Sequence, residues 1–290
     1  MIQGSIVALI TPFADGRLDE EALRRMVDWH IAQGTHGIVP VGTTGESPTL
    51  THDEHCRVIE IVVEQVAGRI PVIAGAGSNN PLEAIEYSLV AQRAGADATL
   101  HVAGYYNRPN QDGLYAHFKL VHDETQIPII LYNIPPRAIV DIQPQTMARL
   151  AELPRIIGVK DATGDMCRPW YERQLIKKPF TWLSGDDATA VAYNVSGGNG
   201  CISVTANVAP KLVAEVQNLT LAGKWAEARA LQDTLIPLHQ AMFAEPSPAG
   251  AKYAASLLGL CSADCRLPVM PLSDATKARI RQVMTDLALI

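Results

Sequence analysis

One lysine of the 290-residue chain stands apart from the others. Lys160 ends the apolar run IIGVK, whereas Lys119, Lys177, Lys178, Lys211, Lys224, Lys252 and Lys277 fall on predicted helices or their flanks, where solvent is expected. A buried ammonium is costly unless a carboxylate pairs with it, and a buried lysine that gives up its proton can attack a carbonyl carbon. Asp161 is expected to face away, because adjacent strand residues point to opposite sides. The sequence therefore predicts a Schiff-base lysine at position 160, with a structural ion pair as the alternative.

Other residues that could do chemistry also follow apolar runs. Thr43 and Thr44 stand between the glycines of GTTGES, where backbone N–H groups can approach a small anion; an ordinary turn is the alternative. Tyr132 ends the run IPIILY and is either a reacting hydroxyl or buried filler. Arg137 follows two prolines that stiffen its loop, which suits a substrate carboxylate or a surface ion pair.

The acidic pair in SGDDA and the two histidines near residue 50 are weaker candidates. Asp186 and Asp187 have no histidine or third acid at ligand spacing, and Asp187 is expected to cap a helix. His52 and His55 lie in the first turn of a predicted helix, away from any strand end. The sequence thus predicts no metal and no cofactor.

Short apolar runs alternate with amphipathic segments along the chain. The predicted strands are Ser5–Phe13, Gly37–Gly42, Pro71–Gly75, Asp97–Val102, Pro128–Tyr132, Ile156–Asp161, Thr181–Gly185 and Gly200–Val204. Their continuous apolar character is typical of parallel strands buried on both faces. Because helical patterns separate them, we expect an α/β (β/α)8 TIM barrel over residues 1–223, followed by a small C-terminal helical extension over residues 224–290. Such barrels carry their active sites at the carboxyl ends of the strands.

Composition excludes several other classes of protein. The net charge is -6 and the basic residues form no stripe, which argues against a nucleic-acid partner. No run is long enough to span a membrane, and the first apolar stretch lacks the basic region of a signal peptide. The five cysteines are odd in number and mostly far apart, which favours reduced thiols and a cytoplasmic protein.

The motifs GTTGES, YYNRP, YNIPPR, GVKDATG, SGDDA and GCISVTANVAP together resemble the dihydrodipicolinate synthase family. This family belongs to the pyruvate-dependent class I aldolases, which include N-acetylneuraminate lyase, and the resemblance runs from Gly4 to about Pro271. It implies a lyase in which Lys160 forms a Schiff base with pyruvate. Thr43 and Thr44 would bind the pyruvate carboxylate, and Thr44 would form a proton relay with Tyr132 and with Tyr106 from a neighbouring subunit.

The resemblance also implies a second substrate and a product. Arg137 would bind the carboxylate of L-aspartate 4-semialdehyde, and the backbone carbonyl of Ile202 would lie near the Schiff base. The product would be 4-hydroxy-tetrahydrodipicolinate, the first committed intermediate toward diaminopimelate and lysine. The chain would act as a homo-oligomer, commonly a dimer of dimers in this family.

A further implication is feedback inhibition by lysine at a subunit interface. Glu83 would meet the ligand's ε-ammonium and Tyr105 its carboxylate. The complete set of matching positions is Ser47, His52, His55, Asn79, Glu83 and Tyr105. A plain polar interface is the alternative.

The chain departs from the family pattern at three places. Ala138-Ile139 stand where many synthases have Thr-Gly, Gly104 replaces a proline before the tyrosine pair, and Pro48 replaces a small residue beside the lysine site. The first departure lies at the aldehyde pocket, so a sister pyruvate lyase acting on a sugar acid or another aldehyde is the alternative. A non-catalytic barrel that binds a keto acid is the third hypothesis.

Overall fold

The computed structural model describes residues 2–290. Its centre is a sheet of eight parallel strands, here β1–β8: Gly4–Ala8, Gly37–Val39, Ile73–Gly75, Ala98–Val102, Ile129–Asn133, Ile156–Asp161, Thr181–Ser184 and Gly200–Ser203. The strands are hydrogen-bonded in the order β2-β1-β8-β7-β6-β5-β4-β3. A parallel bridge between Ile38 and Val72 brings the two edges together. The sheet therefore closes on itself, and the predicted (β/α)8 barrel is confirmed.

Helices surround the barrel and continue beyond it. They are α1 to α11 in chain order: Glu20–Ala32, His52–Val66, Pro81–Ala94, Gln111–Glu124, Pro144–Ala151, Arg168–Leu175, Ala190–Val195, Pro210–Leu221, Trp225–Met242, Ala249–Leu257 and Asp274–Asp286. A capping box begins α2, since Thr51 and Glu54 exchange side-chain and backbone hydrogen bonds. Within residues 2–290, no helix combines the length and apolar character needed to cross a bilayer.

Strand residues divide between the barrel interior and the layer under the helices. Ile130 and Tyr132 of β5 pack in the interior, whereas Ile129 and Leu131 pack against the helices. Both faces are apolar because both are covered, which explains why no polar alternation marks these strands in the sequence.

The first predicted strand is too long, because the chain leaves the barrel after Ala8. The backbone N–H of Ile10 donates to the Asn207 side chain (3.0 Å) instead of to a neighbouring strand. The chain then forms a small hairpin, Phe13–Ala14 with Arg17–Leu18, beside the barrel. An apolar run alone did not reveal that a side chain replaces the strand partner.

The helices after residue 223 share a hydrophobic core with the barrel. Leu235 of α9, Ala254 of α10 and Ile280 of α11 lie in the same buried cluster as Val7 and Leu23 of the barrel. This shared core spans the predicted boundary between residues 223 and 224. The division of the chain into a barrel and a separate C-terminal extension stays a prediction.

Two expectations about charged residues are wrong. Lys252 was expected in solvent, yet it is fully buried on α10, where its Nζ lies 2.5 Å from Glu46 Oε1. Asp187 was expected to cap the following helix, yet its carboxylate accepts hydrogen bonds from the backbone N–H groups of Val204 (2.9 Å) and Thr205 (3.1 Å) at the end of β8. Both partners are distant in sequence, so local pattern could not indicate them.

Candidate active site

Lys160 is the centre of the candidate site. It lies on β6 between Tyr132 of β5 and Leu183 of β7, at matching register, and is 6% exposed. Its Nζ lies 4.2 Å from the centroid of the Tyr132 ring. Within residues 2–290, no carboxylate pairs with this ammonium. The structural ion pair is therefore excluded for the described chain, and the amine faces an aromatic ring instead.

Asp161 faces away from Lys160, as the strand alternation predicts. Its carboxylate accepts from the backbone N–H of Thr163 (2.8 Å) and from the hydroxyl of Tyr193 (3.4 Å). Burial raises the pKa of this carboxyl, although the hydrogen bonds from Thr163 oppose the shift. Asp161 therefore belongs to the layer under the helices and does not serve the amine.

Gly185 leaves room for the lysine at the end of β7. A Cβ atom at this position would lie 3.2 Å from Lys160 Cε, 2.9 Å from Ala162 Cβ and 3.1 Å from the carbonyl oxygen of Asp161. These separations are below ordinary van der Waals contact, so a side chain here would push against the lysine. The absence of a side chain is thus a requirement of the lysine's own conformation.

Thr43 and Thr44 form a short 3-10 turn with Gly45 directly after β2. Thr44 is buried and Thr43 half-buried. The turn is closed by the Glu46 N–H, which donates to the Thr43 carbonyl (3.1 Å), and by the Thr11 hydroxyl, which donates to the Gly45 carbonyl (2.7 Å). These bonds fix the turn at the end of a barrel strand, where the active sites of such barrels form.

Arg137 lies on a single helical turn, Pro135–Ala138, that follows β5. Its side chain is exposed and has no ion-pair partner within residues 2–290. The far end of this loop is anchored by Asn133, whose side chain bonds the backbone of Ile142 in both directions. Buried Arg168 adds a hydrogen bond to the Ile142 carbonyl (3.0 Å). The loop is therefore held while its arginine stays available to a ligand.

Ile202 is buried on β8 and packs in the barrel interior. The strand end after it is fixed by the Asp187 carboxylate, which also accepts from the Ser203 hydroxyl. The Thr205 hydroxyl bonds His239 Nδ1 (2.8 Å) on α9. Burial lowers the pKa of His239 although two nearby carboxylates oppose the shift. A neutral imidazole thus ties the C-terminal extension to this corner of the site.

Tyr106 is the one predicted relay residue that the chain does not bury. Its side chain is 90% exposed, and its backbone has a positive φ of 66°. Neighbouring Tyr105 is held through its carbonyl, which accepts from the Asn107 N–H (2.8 Å). The Tyr106 side chain therefore lies in solvent in this chain, whereas Thr44, Tyr132 and Lys160 are buried.

A second cavity of about 270 Å³ lies beside the turn of Thr43 and Thr44. Of the six residues predicted to bind lysine, those that line it are Ser47, His55, Glu83 and Tyr105. His52 and Asn79 do not line it: His52 pairs with Glu86 (3.1 Å), and Asn79 donates to the Tyr105 carbonyl (3.3 Å). Four predicted positions are thus brought together, and two support them from outside.

Histidine 55 is a structural part of this cavity wall. Its Nε2 donates to the Gly75 carbonyl (2.8 Å), and its ring stacks on Tyr87 at 3.9 Å between centroids. Burial lowers its pKa to about 4, so the ring is neutral near pH 7. His55 therefore brings no positive charge to the cavity near pH 7, and Glu83 is a carboxylic acid on the same wall.

The sequence alone did not indicate some of the residues that form these sites. Tyr87 and Leu50 line the second cavity, and Glu46 and Lys252 meet behind the threonine turn. The signals were present but weak: Glu46 belongs to the quoted GTTGES motif, and Lys252 is a lone charge within the otherwise apolar stretch AGAKYAA. Neither becomes informative until the fold brings the two together.

Fold and site together define a class of protein: a parallel (β/α)8 barrel with a buried lysine, unpaired within residues 2–290, and a tyrosine at its strand ends. A family model for the dihydrodipicolinate synthetase family matches residues 1–287. The chain belongs to this family.

Three similar proteins support this membership. The 4-hydroxy-tetrahydrodipicolinate synthase of Ruegeria pomeroyi is 58% identical over 290 residues, with full coverage of both chains. The dihydrodipicolinate synthase of Acinetobacter baumannii in complex with pyruvate has a TM-score of 0.97 at 43% identity, also with full coverage of both. The enzyme of Cyanidioschyzon merolae with lysine bound has a TM-score of 0.96 at 34% identity and covers 100% of this chain and 99% of its own.

Proposed function

We propose that this protein condenses pyruvate with L-aspartate 4-semialdehyde to give 4-hydroxy-tetrahydrodipicolinate. The observation that carries the proposal is the buried Lys160 amine, which has no carboxylate partner in the described chain and lies 4.2 Å from the Tyr132 ring centroid. The curated relatives with this activity in their names match over the full chain. The reaction is therefore assigned from both the site and the similarity.

The proposed chemistry begins with attack of the Lys160 amine on C2 of pyruvate. The carbonyl oxygen leaves as water, and a cationic imine joins Nζ to C2. This imine withdraws electrons, so the adjacent methyl group loses a proton and becomes an enamine carbon. That carbon attacks the aldehyde of the second substrate, whose oxygen takes up a proton. The amino group of the second substrate then attacks C2, which closes the ring and breaks the bond to Nζ, so that the Lys160 amine is released with the product. Tyr132 is the proposed proton carrier, because it is the hydroxyl-bearing side chain beside the lysine.

Borohydride trapping tests the Schiff base directly. Pyruvate and borohydride together should add the mass of a reduced pyruvyl group to Lys160 and abolish activity. Lys160→Met should give no adduct, whereas Lys277→Met, at a partly exposed lysine of α11, should be trapped like the original protein. An unmodified Lys160 in an active preparation would contradict the proposal.

The identity of the aldehyde is tested separately from the Schiff base. We expect condensation with aspartate semialdehyde and no cleavage of N-acetylneuraminate. Ile139 stands two residues after Arg137, has a positive φ of 68° and is 62% exposed, so it is available to contact the second substrate. If pyruvate is trapped but aspartate semialdehyde is not consumed, the sister-lyase hypothesis replaces the first.

We also propose that the protein acts as a cytoplasmic homo-oligomer in which Tyr106 enters a neighbouring subunit. Its 90% exposure supports this, because a relay hydroxyl must leave solvent to reach the substrate. Sedimentation should show at least a dimer at assay concentration. A monomer with full activity would contradict this part of the proposal.

Lysine is proposed as an inhibitor that binds in the second cavity. Glu83 lies on its wall with a carboxylate that accepts from Ser78, leaving it able to meet an ammonium group. Glu83→Gln should weaken inhibition, whereas Glu60→Gln, a charge-matched change on the exposed face of α2, should not. An unchanged rate at millimolar lysine would refute the proposal.

A further inference from the structure

We propose that the buried ion pair between Glu46 and Lys252 is a positioning device that aligns Thr43 and Thr44 for the carboxylate of the 2-oxo acid substrate. The pair connects α10 of the C-terminal extension to the turn that follows β2. The inference rests on the proposed function, because it assigns to this turn the substrate carboxylate.

Lys252 is enclosed on all sides. It is 0% exposed, and its Nζ lies 2.5 Å from Glu46 Oε1 and donates to the Asp264 carbonyl (2.7 Å). The same Nζ lies 4.0 Å from the centroid of the Phe13 ring. A lysine with an acid, a carbonyl and an aromatic face around its ammonium has one conformation, so it can fix the place of the carboxylate that it meets.

The other oxygen of Glu46 is held by a second part of the extension. Glu46 Oε2 accepts from the backbone N–H of Arg266 (2.8 Å). The Arg266 guanidinium in turn bonds both carboxylate oxygens of Glu54 (2.6 Å each) and the Thr49 carbonyl (2.9 Å). The segment around Glu46 is therefore clamped from α10 and from the loop after it.

This clamp matters because Glu46 has an unfavourable backbone conformation. Its φ of 56° and ψ of 33° lie in the left-handed region, which residues with a side chain seldom adopt. From this conformation its N–H donates to the Thr43 carbonyl (3.1 Å) and its carbonyl accepts from the Thr49 N–H (3.0 Å). Release of the side chain would remove the force that keeps the strained residue, and with it the 3-10 turn, in place.

Mere filling of space does not explain the pair. Apolar residues of similar volume often pack a buried site as stably as two charges do. What an ion pair adds is a defined orientation, because each charge is satisfied in one geometry only. Glu46 stands two residues after Thr44, so orientation gained at the carboxylate is passed to the threonine turn over a short, hydrogen-bonded path.

Three variants test the positioning role: Glu46→Gln, Lys252→Met, and both changes together. Glu46→Gln keeps the shape and removes one charge. The double variant leaves no buried charge unpaired, so its folding should recover relative to Lys252→Met. The matched control is Lys277→Met, which breaks an exposed pair with Asp274 on α11.

We expect all three variants to raise the KM for pyruvate about tenfold or more and to slow borohydride-trappable adduct formation at low pyruvate, because misplacement of a binding group weakens alignment. At saturating pyruvate, kcat should stay within about threefold of the original value. The decisive result is a double variant with recovered stability and a KM that stays high. The control should match the original protein in both quantities.

An unchanged KM in any folded variant would overturn the inference, as would a KM that returns to the original value in step with stability in the double variant. If Lys252→Met does not fold, the double variant carries the same comparison. A failure of the proposed function gives a different result, since the original protein would then show no pyruvate adduct on Lys160. If the original protein forms the adduct and the variants keep its KM for pyruvate, the positioning role alone is refuted.

Discussion

Replacement of Gly185 by alanine tests whether the space beside Lys160 is needed for its chemistry. The new Cβ would lie 2.9 Å from Ala162 Cβ and 3.2 Å from Lys160 Cε. Ala162 is a short side chain fixed to the backbone, whereas the lysine chain is flexible. We therefore expect the lysine to yield and its amine to move away from the position that attacks pyruvate.

The size of the effect follows from the cost of overpacking. One extra methyl group in a filled region typically costs about 1–3 kcal/mol, and about 1.4 kcal/mol corresponds to a tenfold change in rate. If the displaced lysine carries the whole strain, Schiff-base formation should slow by about 5- to 150-fold. The free energy of unfolding should fall by no more than the same amount, about 1–3 kcal/mol.

The assay compares the rate of borohydride-trappable adduct formation with urea unfolding. Ala162→Gly in combination with Gly185→Ala removes the shortest contact and leaves the contact with Lys160 at 3.2 Å. The double variant should regain stability while adduct formation stays slow. A Gly185→Ala variant with the original rate would refute the argument that the lysine needs this space.

The remaining predictions concern other parts of the molecule. Tyr106→Phe should lower kcat, and mixing it with an inactive lysine variant should restore activity if its hydroxyl acts across an interface. Arg137→Ala should raise the KM for the aldehyde and leave pyruvate trapping unchanged, since the arginine is exposed on its own loop. Lys252→Met should lower the free energy of unfolding by about 3–5 kcal/mol, measured in urea, because it leaves the buried Glu46 carboxylate without a counter-ion. Burial lowers the pKa of His101 to about 3, so the unfolded chain binds more protons below about pH 6.5; stability should fall with decreasing pH, and His101→Asn should reduce that dependence in urea titrations at pH 7.5 and 5.

The barrel could be predicted from the sequence because each of its strands is an apolar run buried on both faces. The candidate role of Lys160 could be predicted for the same reason, because it is a charged residue at the end of such a run. Lys252 was not, because its burial depends on Glu46, a residue more than two hundred positions away. The position of Lys252 in a predicted helix suggested an exposed side chain. Only the packing of α10 against the turn after β2 shows that this side chain is buried.

The sequence also did not predict where strands end and which loop side chains face a cavity. The predicted strand Ser5–Phe13 ends at Ala8 because Asn207 supplies the next hydrogen-bond partner. Four of the residues expected around a bound lysine meet at one cavity, while His52 is turned toward Glu86. Motifs place residues near one another, but side-chain partners decide which of them face the ligand.

The turn of Thr43 and Thr44 continues without interruption into Ser47 and Leu50, which line the second cavity. One short stretch of chain thus forms a wall of two compartments. If inhibitor binding shifts this wall and weakens the grip on pyruvate, thermodynamic reciprocity requires that pyruvate weaken inhibitor binding by the same factor. A higher pyruvate concentration would then raise the lysine concentration needed for inhibition. The eight residues 43–50, which border both compartments, would determine the size of this effect.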